Sequence, residues 1–237
     1  MELFYTTDIQ PPYLFLHGTE AAHCIKVLRK APQQHIFITN GLGTQYQCII
    51  TEIDRKKNIV CAYIEQTQRS EPLTKIGLCV APTKNTDRME WLIEKAIELG
   101  ISQVQWVVTR YSQRESISLE RMQRIAIAAM KQSLRCFLPV MHNILPFLSW
   151  INNHAVLSGV IGYCGEEIPK APLCEIKIPP NSHTFWICIG PEGDFTQDEV
   201  RVALEKGLSV VSMGSNRLRT ETAALAAISY YYLNSAK

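Results

Sequence analysis

The rhythm of hydrophobic and polar positions changes near residue 75. Before it, apolar residues come in short or alternating runs: LFYT near the N-terminus, HIFITN, TQYQCIITEI and NIVCAYIEQT. These predict strands. GLG joins the second to the third, and its glycines suit a tight hairpin. Residues 17–29 have helical spacing instead, with Ala21, Cys24, Ile25 and Leu28 on one side. Several short strands around one short helix predict a small barrel-like domain. The polar, proline-containing stretch QRSEPLT at 68–74 reads as a linker.

From residue 75 strands alternate with helices. IGLCVA, ISQVQWVVT, AVLSGVIGY, TFWICIG and LSVVSM are apolar runs with almost no charge, as buried parallel strands require. TDRMEWLIEKAIEL places Met89, Leu92, Ile93, Ala96 and Leu99 on one helical face and is closed by Gly100. Ser118 is placed to cap a helix running to about Leu134, with Met122, Ile125, Ala126, Ala129 and Met130 as its buried stripe. LPFLSWI predicts a shorter helix. Thr196 and Glu199 have the spacing of a capping box, with Phe195 and Val200 as its staple, in a helix ending at Gly207. ETAALAAISYYYL is the last helix. The pattern predicts an α/β domain with a mainly parallel sheet.

Composition adds limits. The 237 residues are 46% hydrophobic and 19% charged, which fits a folded chain of one or two domains and excludes disorder. No apolar run reaches the roughly 18–20 residues that span a bilayer. MELFYTTDIQ lacks the basic flank and apolar core of a secretory signal, so a cytoplasmic location is expected. The formal net charge of +2 excludes a polycation but little else. It hides an excess in the middle: residues 76–150 carry 9 basic and 6 acidic side chains, which suits either polyanion contact or a solvated helix face. The eight cysteines form no CxxC pair, and neither they nor the six histidines have zinc-site spacing. They read as small buried hydrophobes, and no metal is expected.

Most familiar catalytic loops are absent: GLGTQY lacks a third glycine and joins strand to strand, and GxxxxGK[ST], GxSxG and HExxH do not occur. Two segments carry chemistry instead. Ile189-Gly190-Pro191-Glu192-Gly193-Asp194-Phe195 leaves a buried strand and enters a capped helix, where α/β sheets bind ligands. It reads either as a rigid ligand-contacting turn or simply as a tight strand–helix turn. Met213-Gly214-Ser215-Asn216-Arg217-Leu218-Arg219-Thr220-Glu221-Thr222-Ala223 also links a strand end to a helix. Thr220 and Glu221 suit a helix start structurally, Thr220 as a cap. Two arginines there oppose the helix dipole, which makes sense where an anion is held.

These two segments closely resemble the last motifs of the RsmE family, bacterial 16S rRNA uracil-N3 methyltransferases of the SPOUT superfamily. The resemblance covers essentially the whole chain. His23 to Arg29 with the FITNGLGTQY hairpin resembles the family's PUA-like segment. Lys84–Trp91 with Glu94–Gly100 resembles its first SPOUT helix, and Arg121, Gln132, Ser133, Arg135 and Pro139 resemble its second. Three places depart from the usual pattern. Asp194 stands where a second glycine is usual, Ser215-Asn216-Arg217 where proline, arginine and an aliphatic are common, and Lys131 where glutamate is common.

The resemblance implies a PUA-like RNA-binding β-barrel over 1–70 and a SPOUT methyltransferase domain over 71–237, deeply trefoil-knotted over roughly 155–237. It implies S-adenosylmethionine as cofactor, 16S rRNA of the small ribosomal subunit as substrate, and a homodimer free of metal and membrane. Cofactor contacts are expected from Gly165, Ile189, Gly190, Pro191, Glu192 and Gly193, and from Met213, Gly214, Leu218 and Arg219. Arg219, Glu221 and Glu192 are the expected catalytic groups. Arg219 would stabilise the uracil anion or grip a phosphate, and a glutamate would orient it or move a proton. RNA contacts are expected from Lys26, Arg29, Lys30, Arg88, Arg110, Arg135 and Arg217. Two alternatives stay open: a SPOUT enzyme with another RNA target, and a non-catalytic RNA-binding or assembly protein.

Overall fold

In the computed structural model, residues 2–69, 75–179 and 184–235 are described. They fall into two compact units. The first comprises Met1–Pro72 with Ile127–Leu138, and the second Leu73–Ala126 with Pro139–Lys237. The expected linker lies mostly outside the described residues, while Gln68 and Arg69 close a strand instead.

The first unit holds strands β1 (Leu3–Tyr5), β2 (Ile9–Gln10), β3 (Tyr13–His17), β4 (His35–Thr39), β5 (Thr44–Asp54) and β6 (Ile59–Arg69). Helix α1 (Gly18–Ala22) runs on as a π-helical turn, His23–Val27. The strands form one sheet in the order β1-β4-β5-β6-β3-β2, antiparallel except for the β1–β4 pair. The expected hairpin joins β4 to β5. Gly41 and Gly43 take φ of 73° and 89°, and Asn40 Oδ1 accepts the Leu42 and Thr44 amides at 2.8 and 3.3 Å. Ala21, Cys24 and Ile25 pack with Leu14, Ile38, Ile50 and Val60, so the helical stripe closes this core. The segment 127–138 belongs here through backbone bonds. Gly43 N donates to Cys136 O and Leu138 N to Gly41 O, both at 2.8 Å.

The second unit holds β7 (Ile76–Val80), α2 (Thr86–Glu98), β8 (Gln103–Val108), α3 (Leu119–Gln132, ending in the first unit), β9 (Val140–Met141), β10 (Leu145–Pro146) and α4 (Phe147–Asn152). There follow β11 (Ser158–Gly162), β12 (Ala171–Pro172), β13 (Phe185–Ile189), α5 (Gln197–Glu205), β14 (Leu208–Ser212) and α6 (Thr220–Ser235). The sheet order among the described residues is β10-β8-β7-β13-β11-β14-β12, with β9 beside β8, and every pairing is parallel. β7 and β13 are buried at every position, which is why they read as uninterrupted apolar runs.

The expected helix signals act as physics requires. Asn85 caps α2, accepting the Asp87 and Arg88 amides. Gly100 ends that helix at φ 81° and Gly207 ends α5 at φ 96°, conformations a side chain resists. The Thr196–Glu199 capping box is formed, with Phe195 and Val200 in one buried cluster. LPFLSWI divides instead: Leu145 and Pro146 pair with β8, and the helix starts only at Phe147, since proline pushes the preceding Leu145 to extended backbone. The cysteines divide too. Cys24, Cys48, Cys79, Cys136 and Cys188 are buried as expected, but Cys61 is half-buried, and Cys164, in a loop, and Cys174, in a short 3-10 turn, are exposed.

Candidate active site

A cavity of about 860 Å³ opens beside the ends of β11, β13 and β14. Its wall is three loops: 162–166 after β11, 190–194 after β13, and 213–219 after β14. Neighbouring parallel strands β13, β11 and β14 aim their C-terminal ends the same way, so three loops distant in sequence meet at one place.

Close approach at this wall depends on small residues. A Cβ on Gly190 would stand 3.1 Å from the Phe195 ring and 3.2 Å from the Asp194 backbone. On Gly162 it would meet Met213 Cε at 2.6 Å. Gly214 takes φ 113° with open space around it, so glycine there serves the backbone turn. Ile189, Pro191, Val211, Met213 and Leu218 supply apolar lining, and the glycine loops present peptide groups.

The loops are joined by side chains. Asp194 stands at φ 66°, a region that aspartate tolerates better than most residues. Its Oδ2 accepts the Cys164 amide and its Oδ1 the Phe195 amide, each at 2.8 Å. Lys170 Nζ donates to Gly165 O at 2.8 Å and to Cys164 O at 3.3 Å. Arg217 Nη2 donates to Glu192 O at 3.0 Å. Thr220 Oγ1 donates to Gly190 O at 3.0 Å, so the expected cap residue instead ties the start of α6 to the loop after β13. Burial, reinforced by the Asp194 charge, raises the Cys164 thiol above its ordinary range. Burial and a hydrogen bond to Glu167 push the Tyr163 hydroxyl up to about 12, so it stays a neutral donor.

The expected site residues separate on this geometry. Gly165, Ile189, Gly190, Pro191, Glu192, Met213, Gly214, Leu218 and Arg219 line the cavity together. Gly193 does not: it packs on Tyr111, where a Cβ would stand 2.7 Å from the Tyr111 Cβ. Glu221 does not either. Its side chain faces α2, 3.5 Å from Arg88 Nε, and so orients Arg88 rather than Arg219. Arg219 is exposed at the cavity and, among the described residues, its guanidinium makes no hydrogen bond or ion pair. Glu192 is likewise exposed at the wall. Of the expected RNA contacts only Arg217 lines the cavity, committed to a backbone carbonyl. Arg88 belongs to the Glu221 pair, while Arg110 is exposed beside the cap of α5, its backbone amide donating to Glu199 at 3.0 Å. In the first unit Lys26 and Arg29 are exposed and Lys30 and Arg135 half-buried. Asp194 and Lys170 were not expected in the site. The available signal was an aspartate in a glycine turn, where φ must turn positive. Among the described residues no group of histidine, cysteine or acidic side chains converges as a metal site, and no helix is long and apolar enough to cross a membrane.

A parallel sheet with a looped cavity at its strand C-terminal ends is an α/β ligand-binding architecture, and the family matches make it that of an RNA methyltransferase. The RNA methyltransferase domain family matches residues 69–232, and the RNA methyltransferase PUA domain family matches 16–60. The ribosomal RNA small subunit methyltransferase E of Rickettsia conorii is 31% identical over 87% of this chain and 84% of its own. A crystal structure of a probable rRNA-methyltransferase from Porphyromonas gingivalis superposes with a TM-score of 0.85 at 32% identity, covering 100% of this chain and 99% of that one. The ribosomal RNA small subunit methyltransferase E of Neisseria gonorrhoeae, solved bound to S-adenosyl methionine, gives a TM-score of 0.84 at 28% identity over 97% and 95% of the two chains. This chain belongs to the ribosomal RNA small subunit methyltransferase E family.

Proposed function

We propose that the protein transfers a methyl group from S-adenosylmethionine to N3 of a uridine in small-subunit 16S rRNA. The observation that carries this reading is the cavity after β11, β13 and β14, which gathers Arg219 and Glu192 with an apolar, peptide-rich wall. Its 860 Å³ lies within the roughly 300–1,000 Å³ of small-molecule sites. The fit to the cofactor is chemical as well. Glycine turns bring backbone to the wall, where peptide groups can meet an adenine edge, and Ile189, Met213 and Leu218 offer apolar contact. Bound there, S-adenosylmethionine supplies an activated methyl group.

The protein supplies position and charge. Gly165, Gly190, Pro191 and Gly214 shape the cofactor wall, and the reacting atoms must be held in line, which is largely a matter of orientation. The uridine N3 proton must leave before or during attack. Arg219, uncommitted and at the cavity, stabilises negative charge developing on the uracil ring. The Glu192 carboxylate, exposed on the same wall, takes the proton. Lys26, Arg29 and Lys30, in and just after the π-helical turn of the first unit, hold rRNA phosphate, which positions the substrate without reading its sequence. The family resemblance further supports a trefoil knot in the C-terminal part, a cytoplasmic homodimer, and a first unit that acts as the RNA-binding module. Mass mapping of modified uridines in small-subunit rRNA, with and without this protein, tests the reaction: one N3-methyluridine near the 3′ end should disappear with the gene. An unchanged map overturns it.

A further inference from the structure

The three loops of the cavity wall leave three different strands, and strand pairing orders them only at their roots. Beyond the roots, side chains must do it. Asp194 ties the 190–194 loop to the 162–166 loop by accepting the Cys164 amide at 2.8 Å. Arg217 ties the 213–219 loop to the 190–194 loop by donating to Glu192 O at 3.0 Å. Both line the cavity. Glycine at 194 would adopt φ 66° with less strain than aspartate, yet it has no carboxylate to hold two amides. An aliphatic residue at 217 would leave the Glu192 carbonyl without this donor. The two side chains therefore act at successive joints of one wall.

We propose that Asp194 and Arg217 are positioning residues that preorganise the S-adenosylmethionine pocket, Asp194 by fixing the 162–166 loop and Arg217 by fixing the 213–219 loop. This rests on the reading of the cavity as the cofactor site. A wall ordered in advance spares the ligand the cost of ordering it, so affinity rather than the chemical step depends on the two joints. Arg217 accordingly serves the cofactor pocket and not an RNA phosphate.

The test uses the full chain: calorimetric titration with S-adenosylmethionine and, without ligand, amide hydrogen exchange. Asp194→Gly removes the carboxylate at a φ glycine tolerates, and Asp194→Asn keeps an acceptor oxygen. Arg217→Ala and Arg217→Lys form the matching pair. Loss of a charge-assisted bond should weaken cofactor binding about tenfold in Asp194→Gly and Arg217→Ala, with KM for the cofactor rising by more than kcat falls. Asp194→Asn and Arg217→Lys should recover part of the loss. Exchange should quicken at 162–166 in Asp194→Gly and at 213–219 in Arg217→Ala. Unchanged affinity in both truncated variants, with a wild-type chain that binds the cofactor, overturns this proposal alone. So does a fall of about one in the salt slope of RNA binding for Arg217→Ala at constant cofactor affinity, since that marks a phosphate contact. A wild-type chain that gives no heat with S-adenosylmethionine overturns the reading of the cavity, and this proposal with it.

Discussion

Arg88 Nε on α2 lies 3.5 Å from Glu221 Oε1 at the start of α6, and the Glu221 side chain is only 9% exposed. Its other oxygen, Oε2, is buried with no hydrogen-bond partner among the described residues. Glu221 therefore relies on Arg88 and on the positive N-terminal end of its own helix. Removing the cation should strand a buried carboxylate. We expect Arg88→Ala to cost about 1–3 kcal/mol in urea unfolding, and Glu221→Gln in the same chain to restore part of it, because a neutral amide needs no counter-charge. Additive losses would mean that the two side chains do not interact.

Arg219 has no structural partner among the described residues, so its loss should leave the fold intact. We expect Arg219→Ala to keep the wild-type melting temperature and to lose about 10²–10³-fold in single-turnover methylation at saturating cofactor and RNA, the range for one lost anion-stabilising donor. A rate close to wild type removes Arg219 from the reaction.

Within the first unit Lys131 pairs with Glu20 Oε1, and Glu20 Oε2 accepts the Tyr5 amide at 3.0 Å. Both side chains are mostly buried, at 19% and 16% exposure. Lys131→Glu should therefore destabilise this chain by about 1–3 kcal/mol through carboxylate repulsion. Adding Glu20→Lys should rescue only part of the loss, since lysine cannot accept the Tyr5 amide. Thermal melts of the three variants check the order.

The first unit's core should also report alkaline pH. Burial raises the Cys24 thiol from 9.0 to about 11 and the Cys48 thiol from 9.0 to about 12. In the unfolded chain both ionise near their ordinary value, so the folded form binds more protons above pH 9. Their stabilising contribution is whole below that pH and is lost as pH rises through about 11 and about 12. Urea midpoints should fall across this window, and less steeply in a Cys24→Ala/Cys48→Ala chain. Equal slopes would assign the fall to other groups, such as Tyr163.

Much of the fold was legible because its signals are local. Periodicity located the main strands and helices, and Asn40–Gly43, Gly100, Gly207 and the Thr196–Glu199 box each marked a boundary through backbone chemistry that needs no distant partner. The glycine loops were legible as a candidate site for the same reason. The partners of Thr220, Glu221 and Arg217 were not legible. A helix start explains the first two locally and a phosphate suits the third, but their partners are Gly190, Arg88 and Glu192, which lie 30, 133 and 25 residues away.

The sequence by itself determined an α/β chain with a preceding β-rich unit, the family it resembles, and two loops of the candidate site. Each of these depends on periodicity, turn residues or contiguous motifs. Only the tertiary structure decided that residues 127–138 belong with the first unit, that Glu221 faces Arg88, and that Asp194 and Arg217 join three loops into one wall. The reason is physical: strand order in a parallel sheet, not distance along the chain, sets which loops meet, and a side chain's partner exists only once they do.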